Sequence, residues 1–332
     1  MARFRPSLHI ALAICSTLLL STTACTASRE TPSHAERRIA ADWILMVADV
    51  GDAYAAAPRN LQPAFPHWKS LPAQWRVEGH LVGNDRPPLH DASKAPIPTM
   101  HGVLARTDDA HGNAAYAVLL RGTVGTDEWE IDAFFPHRAG PWPDSGKVPG
   151  GFLDLYESLA FVPRTGDAQP TRAAEALRNH IGEAPVTVVG HSAGAVLGTY
   201  LTLDLVHDAT TNRVAGRFFA SARPGDAAFA AAYARAVTDH RAYDNVRDLV
   251  PHLPPDLGPD GFKPLANITP LDPTRLRVHL RDTPGCNHHA VSYAALLDFA
   301  RMPLAAWQAR LADSQQPRDC LVPVPPHRTL LP

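Results

Sequence analysis

Basic runs are missing from this chain beyond its first five residues. The formal net charge of the 332 residues is −2, and only 19% of them are charged. Because a nucleic-acid surface needs a stripe of lysine and arginine, we expect no nucleic-acid partner. The histidines and cysteines show no spacing typical of a zinc site, and the sequence predicts neither a metal nor a cofactor.

The N-terminal segment has the three parts of a secretory signal. Arg3 and Arg5 precede a largely apolar run at 8–20, and small residues follow it. The apolar run is too short for a spanning helix and is wrongly flanked for one. We therefore predict that residues 1–24 are a signal peptide and that the protein is exported.

Cys25 follows these small residues directly, as in the bacterial lipobox, where the cysteine becomes the lipidated first residue. Thr22 stands where that motif usually has leucine. We predict a lipoprotein held at a membrane of the cell envelope through Cys25. The alternative is ordinary cleavage nearby, which would release a soluble periplasmic or secreted protein.

Cysteine is scarce in the rest of the chain. Of the four cysteines, only Cys286 and Cys320 follow the leader. An oxidising compartment favours a disulfide between an isolated pair of this kind. The alternative is two free buried thiols, since spacing alone does not bring the two Cα atoms within bonding distance.

The pattern of strands and helices predicts one α/β domain at 34–312. The run at 114–120 is continuously apolar and the run at 185–189 is rich in β-branched residues, as in strands buried on both faces. Helical segments alternate with such strands, which favours a mostly parallel central sheet with helices on both faces. Residues 25–33 are predicted to be a polar tether, and 313–332 a proline-rich tail that contributes nothing to the core.

Ser192 is the candidate nucleophile, at the centre of the single Gly-x-Ser-x-Gly pattern (190–194). A strand precedes the pattern and a helical run follows it, the setting of a nucleophile elbow. A side chain at either glycine would clash where the helix folds back on the strand. The helix start would place the Ala193 N–H at a developing oxyanion. His191 is predicted to be a packing or hydrogen-bonding residue, because its side chain points away from the reacting face.

Several blocks, in the same order, resemble the class 3 (fungal-type) lipase family. These blocks are 119–123 (Leu-Leu-Arg-Gly-Thr), 148–152 (Val-Pro-Gly-Gly-Phe), the elbow, 219–226 (Phe-Ala-Ser-Ala-Arg-Pro-Gly-Asp) and 245–255 (Asn-Val-Arg-Asp-Leu-Val-Pro-His-Leu-Pro-Pro). The resemblance implies the α/β-hydrolase fold. Pro149, Ala195 and the Ala-Ser-Ala at 220–222 depart from the family pattern, which indicates a divergent member.

A serine nucleophile needs a base, and the base needs a carboxylate that orients it. In α/β-hydrolases the acid follows the serine in the chain and the histidine follows the acid. Asp248 follows a short strand and matches the aspartate of the family block, so we predict that it is the acid. Asp244, Asp256 and Asp260 are competing carboxylates that we interpret as solvated loop charges.

The base is predicted among the histidines that follow the acid. His279 lies inside an apparent strand, and His252 follows the acid too closely to reach across it. His288 and His289 remain, directly before the final helix, and the family places its histidine just before a helix that carries a tyrosine one turn on. We favour His289 over His288. A disulfide at Cys286 would hold this loop.

The resemblance also implies a second oxyanion donor and a lid. Thr123 would donate through its backbone N–H, and 124–135 would form a lid-like segment. Trp129, Ile131, Phe134 and Phe135 are candidate contacts for an acyl chain, or ordinary core residues.

Together these patterns predict a serine ester hydrolase that cleaves acyl esters, with glycerolipids favoured, through an acyl-enzyme on Ser192. A phospholipase or a small-ester carboxylesterase on the same fold is the chemical alternative. A non-catalytic envelope lipoprotein is the alternative from another class of protein. No oligomeric state is predicted.

Overall fold

The computed structural model describes residues 32–64, 69–70, 74–84, 97–122, 136–165, 172–207, 213–256, 258, 260–314 and 317–324. The predicted signal peptide, the lipidation site Cys25, the predicted oxyanion donor Thr123 and the predicted lid at 124–135 lie outside these residues. Among the described helices, none is both long enough and apolar enough to cross a membrane.

The elements follow in chain order. The helices are α1 (His34–Ala56), α2 (Gly150–Glu157), α3 (Ala173–Ile181), α4 (Ala193–His207), α5 (Ala227–Ala236), α6 (Pro284–His288), α7 (Ala290–Asp298) and α8 (Leu304–Asp313). The strands are β1 (Arg76–Asn84), β2 (Pro98–Asp108), β3 (Ala114–Leu120), β4 (His137–Ala139), β5 (Lys147–Pro149), β6 (Ala160–Pro163), β7 (Val186–His191), β8 (Val214–Phe219), β9 (His240–Asn245), β10 (Ile268–Leu271), β11 (Val278–Leu280) and β12 (Leu321–Pro323).

Eight of these strands form the central sheet, in the order β10-β9-β8-β7-β3-β2-β1-β6. The five strands from β10 to β3 run parallel to one another, while β2, β1 and β6 join in antiparallel pairs. The two strands predicted as fully buried, β3 and β7, are neighbours at the centre of the sheet. The predicted mostly parallel α/β sheet is confirmed.

Helices cover both faces of the sheet. On one face, α1, α7 and α8 pack around a core that includes Ile44, Tyr293 and Trp307. On the other face, α4 lies against β7 and β8 and is flanked by α2, α3 and α5. Eleven of the fifteen residues of α4 are buried, and most of these are apolar, as expected for a helix enclosed on most sides. This arrangement fixes α4, and therefore its first residue, directly behind the end of β7.

The chain end corrects one sequence prediction. Residues 313–332 were expected to contribute nothing to the core, yet β12 pairs with β11 in a two-stranded sheet. Cys320 and Leu321 are completely buried in the same core as α7. These two side chains are buried because the segment at 317–324 returns to the domain and covers α8.

Candidate active site

Ser192 stands at a sharp turn between β7 and α4, at the carboxyl end of a central strand. Its φ is 56°, in the left-handed region that non-glycine residues rarely adopt. A side chain at Gly190 would collide with the backbone of Gly194, and one at Gly194 would collide with the carbonyl of Arg121. The two glycines therefore permit the close strand–helix packing that holds Ser192 in this conformation.

Asp248 lies three residues beyond the end of β9 and is almost completely buried. Its Oδ1 accepts a hydrogen bond from the backbone N–H of Val250 at 3.0 Å. Its Oδ2 accepts from the Tyr293 hydroxyl at 2.8 Å and is 2.7 Å from His288 Nδ1. The carboxylate is thus held by three donors from three separate segments of the chain.

His288, the last residue of α6, lies between Asp248 and Ser192. Its Nε2 is 2.9 Å from Ser192 Oγ. Because an ionised carboxylate only accepts hydrogen bonds, we infer the tautomer with the proton on Nδ1. Nε2 is then free to take the serine proton, which is the arrangement of a nucleophile, a base and an orienting acid.

The prediction that His289 is this base is wrong, because His288 occupies that position. His289 is the N-cap of α7, and its Nδ1 accepts a hydrogen bond from the Val291 N–H at 3.2 Å. That nitrogen faces the start of a helix instead of a carboxylate. Burial, followed by the nearby charge of Arg310, lowers the pKa of His289 to about 3. His289 is consequently a neutral cap beside the residue that reaches Ser192.

The predicted disulfide is present and anchors α6. Cys286 and Cys320 are bonded, with their Cα atoms 5.3 Å apart. Thr283 caps α6 by accepting from the Cys286 N–H. The disulfide ties this five-residue helix to the segment before β12. Cys286 lies two residues before His288.

The competing histidines and carboxylates lie elsewhere. His279 is exposed on β11 and His252 is exposed on the turn after the acid. Asp256 pairs with Lys263, and Asp260 is exposed.

Asp244, on β9, has a buried Oδ1 with no hydrogen-bond partner. Burial, with a contribution from the charge of Asp248, raises the pKa of Asp244 to about 7. The interpretation of Asp244 as a solvated loop charge is therefore wrong.

Backbone groups around Ser192 supply the candidate oxyanion site. Ala193 begins α4, so its N–H is one of those that a helix leaves without an internal partner. Gly122 lies against the nucleophile, since a Cβ built on it would be 2.9 Å from Ser192 Cβ. Arg121 holds this strand end by donating to the Gly122 carbonyl at 2.8 Å. Among the described residues, no cluster of histidine, cysteine or carboxylate side chains is arranged to bind a metal.

Residues 117–258 match the family model described as lipase (class 3). This region of the chain is similar to the class 3 lipases. The match includes Ser192 and Asp248, and it ends before His288.

Curated relatives match about half of the chain. A lipase from Rhizomucor miehei is 29% identical over 192 residues, which cover 54% of this chain and 50% of that protein. Phospholipase A1-II 7 from Oryza sativa subsp. indica is 29% identical over 215 residues, covering 56% and 48% of the two chains. The chain thus spans about half the length of these curated relatives.

Solved structures share the fold. A propeptide complex of a deletion mutant of the Rhizomucor miehei lipase has a TM-score of 0.54 at 18% identity, covering 81% of this chain and 79% of that one. The Rhizomucor miehei triacylglyceride lipase has a TM-score of 0.52 at 18% identity, with coverage of 73% and 82%. This chain therefore shares the α/β-hydrolase fold with these lipases.

Proposed function

We propose that this protein is a serine ester hydrolase that cleaves acyl esters through an acyl-enzyme on Ser192. The observation that carries the proposal is the continuous hydrogen-bonded path from Ser192 Oγ to His288 Nε2 and from His288 Nδ1 to Asp248. The strained backbone at Ser192 supports it, since such strain is concentrated at functional sites. The similarity of residues 117–258 to the class 3 lipases supports the same chemistry.

The first half of the reaction forms the acyl-enzyme. His288 Nε2 takes the Ser192 proton as Oγ attacks the ester carbonyl, and the resulting imidazolium is stabilised by Asp248. The Ala193 N–H is positioned for the tetrahedral oxyanion, and the resemblance adds the Thr123 N–H. Each such donor typically contributes about 100- to 1000-fold to kcat. His288 then returns the proton to the leaving alcohol.

Water completes the reaction on the same residues. His288 deprotonates the water, which attacks the acyl carbonyl, and Ser192 leaves with the proton that His288 carries. The partly exposed position of His288 supports this step, because its side chain is 11% accessible to solvent. Each proton that moves is held by His288, so no cofactor enters the scheme.

A glycerolipid ester is the proposed substrate. The support is the family and the names of its relatives, among which are a lipase and a phospholipase A1. Both names describe acyl ester hydrolysis, and they differ in the head group. A phospholipase is therefore the second candidate, and a small-ester carboxylesterase is the third.

The test labels the nucleophile first and ranks substrates second. The purified protein is treated with a fluorophosphonate probe, with Ser192→Ala as the control. We expect labelling of the wild type at Ser192 and none of the variant. Failure of folded wild-type protein to react would favour a non-catalytic envelope protein and would overturn the proposal.

Substrates are then compared in one assay series. A set of p-nitrophenyl esters of rising chain length separates a carboxylesterase, which prefers short chains, from a lipase. Triacylglycerol and phosphatidylcholine dispersions separate a lipase from a phospholipase. We expect the higher kcat/KM on long-chain esters.

We also propose export, with attachment to a membrane through a lipidated Cys25. The Cys286–Cys320 disulfide supports an oxidising compartment. Metabolic labelling with palmitate in a bacterial host tests the anchor, with Cys25→Ala as the control. Labelling that is unchanged in the variant, or absent from both proteins, would contradict the anchor.

A further inference from the structure

We propose that His191 and Asn245 are positioning residues that clamp the backbone of His288 on both sides. This inference rests on the proposed function and deepens it. Neither side chain is in hydrogen-bond contact with Ser192 Oγ or with the His288 ring, so their effect on the reaction passes through the placement of the base. We call the two residues together the base clamp.

His191 is the first arm of the base clamp. It ends β7, directly before the nucleophile, and its Nε2 is 2.7 Å from the backbone carbonyl of His288. The two imidazole rings lie 4.8 Å apart, and the edge of the Tyr293 ring faces His191 at 6.0 Å. The prediction that His191 packs and forms hydrogen bonds is confirmed. Its bond joins the residue before Ser192 to the residue that must accept the Ser192 proton.

Asn245 is the second arm, and no role is predicted for it from the sequence. It ends β9 and is almost completely buried. Its Nδ2 donates to the Asn287 carbonyl at 2.8 Å, while its Oδ1 accepts from the Arg247 N–H at 3.1 Å. One side chain therefore bonds to the residue before the base and to the residue before the acid. Its place in the Asn-x-x-Asp block is the signal that could have marked it.

His191 and Asn245 bind the backbone at the end of α6, where it has few hydrogen bonds within a helix. His288 ends α6, and α7 begins two residues later. The last carbonyls of a helix have no partner inside it. Here the Asn287 carbonyl bonds to Asn245 at the end of β9, and the His288 carbonyl bonds to His191 at the end of β7. A base displaced by about 1 Å can lose roughly 100-fold in rate. The base clamp keeps the His288 ring within hydrogen-bond distance of both Ser192 and Asp248.

The charge state of His191 suits this role. Burial, followed by the charge of His288, holds the pKa of His191 well below its usual value. His191 is therefore neutral when it donates through Nε2–H. A neutral ring beside His288 does not oppose the imidazolium that forms as Ser192 loses its proton.

The experiment compares His191→Phe with His191→Gln. Phenylalanine keeps a ring against His288 and Tyr293 but has no donor. Glutamine has no ring, but its amide nitrogen reaches about as far as Nε2 and can donate. The readouts are the rate of Ser192 labelling by a fluorophosphonate, kcat and KM on a p-nitrophenyl ester, and thermal unfolding. The labelling rate is independent of the natural substrate.

We expect His191→Phe to lower the labelling rate and kcat by about 10- to 100-fold with little change in KM. We expect His191→Gln to keep most of the activity, although it packs less well. Activity that survives in His191→Phe, or a loss that is as large in His191→Gln, would overturn the clamp. If wild-type protein itself is not labelled, the proposed function fails, and this result is distinct from labelled wild type with an unaffected variant.

The variant Asn245→Ser tests the second residue of the base clamp. Serine is too short to reach the Asn287 carbonyl or the Arg247 N–H, and it introduces no charge. We expect it to lower kcat by itself, and the double variant with His191→Phe to lose less than the product of the two single losses, because both act on one residue. Independent, fully multiplicative effects would overturn joint clamping. If Asn245→Ser does not fold, the two His191 variants decide the proposal.

Discussion

Tyr293 donates its hydroxyl hydrogen to the same oxygen of Asp248 that faces His288 Nδ1. The tyrosine oxygen in turn accepts the backbone N–H of Asn245 at 3.0 Å. Tyr293, a residue of α7, therefore connects the end of β9, three residues before Asp248, with the contact between the base and the acid. This relationship explains why a completely buried tyrosine follows the base by five residues.

Replacing Tyr293 with phenylalanine should weaken both the catalytic carboxylate and the fold. Asp248 loses one of three donors, so its carboxylate is held less firmly for His288. The buried Asn245 N–H loses its acceptor, which costs about 1–3 kcal/mol. We expect a lower kcat, with little change in KM, and a matching loss in the free energy of unfolding from urea titration.

Tyr200→Phe is the matched control for this prediction. Tyr200 is completely buried, and its hydroxyl donates to the Pro224 carbonyl at 2.7 Å. We expect it to lose stability with its kcat preserved. An equal loss of kcat in both variants would show that Tyr293 acts through stability alone.

The two adjacent histidines should separate clearly by mutation. His288→Ala removes the base, and we expect kcat to fall by at least about 1000-fold. His289→Ala removes the acceptor that caps α7, which should cost about 0.5–2 kcal/mol of stability. His289→Asn, which keeps a capping acceptor, should restore that stability. A greater loss of kcat in His289→Asn than in His288→Ala would reverse the assignment of the base.

The elbow and the acid could be predicted from the sequence because both follow strong local patterns. Ser192 lies between an apolar strand and an apolar helix, and Asp248 lies three residues after a strand in a recognisable block. Those strands, β7 and β9, run parallel in one sheet with β8 between them, so their carboxyl ends lie at the same edge. Local pattern and tertiary placement agree at these positions.

The choice between His288 and His289 could not be made in the same way. Adjacent residues at a helix junction point in different directions, and the direction depends on where α6 ends. That helix has only five residues, too few to show a helical period. The carbonyl contacts that hold it come from His191 and Asn245, which are distant in the chain.

The buried strand at the chain end is a second feature without a local signal. β12 has three residues, and its partner β11 lies about 40 residues earlier. Proline-rich flanks favour an exposed tail on composition alone. The packing of Cys320 and Leu321 depends on the disulfide and on the long-range pairing of strands.

Removing the disulfide should loosen the base and destabilise the fold. Cys286 and Cys320 are separated by 34 positions, and closing a loop of that length stabilises a protein by about 3–4 kcal/mol in the chain-entropy model. We expect the Cys286→Ser, Cys320→Ser double variant to lose stability of this order and some kcat, because α6 carries His288. Thermal unfolding and ester hydrolysis with and without reductant provide the measurement. Wild-type protein whose unfolding is unaffected by reductant would contradict this prediction.

Asp244 should make stability fall as the pH rises towards neutrality. Its pKa is raised from 3.8 to about 7 on folding, so between these values the native state binds its proton more tightly than the unfolded state does. The stability that the protonated Asp244 contributes is fully present below the unfolded pKa of 3.8 and is lost as the pH rises through about 7. Asp244→Asn, which cannot ionise, should therefore be more stable than wild type at pH 8, by about 4 kcal/mol at most.

The same comparison at low pH provides the internal check. Near pH 3 the wild-type carboxyl is protonated in the folded state and largely so in the unfolded state, so the advantage of Asp244→Asn should shrink towards zero. The exposed Asp260 supplies the control variant, Asp260→Asn, which makes the same substitution at the surface. Urea unfolding of the three proteins at each pH gives the measurement. An Asp244→Asn variant that is less stable than wild type at pH 8 would mean that the carboxylate has a favourable partner in the folded state, contrary to its buried and unbonded Oδ1.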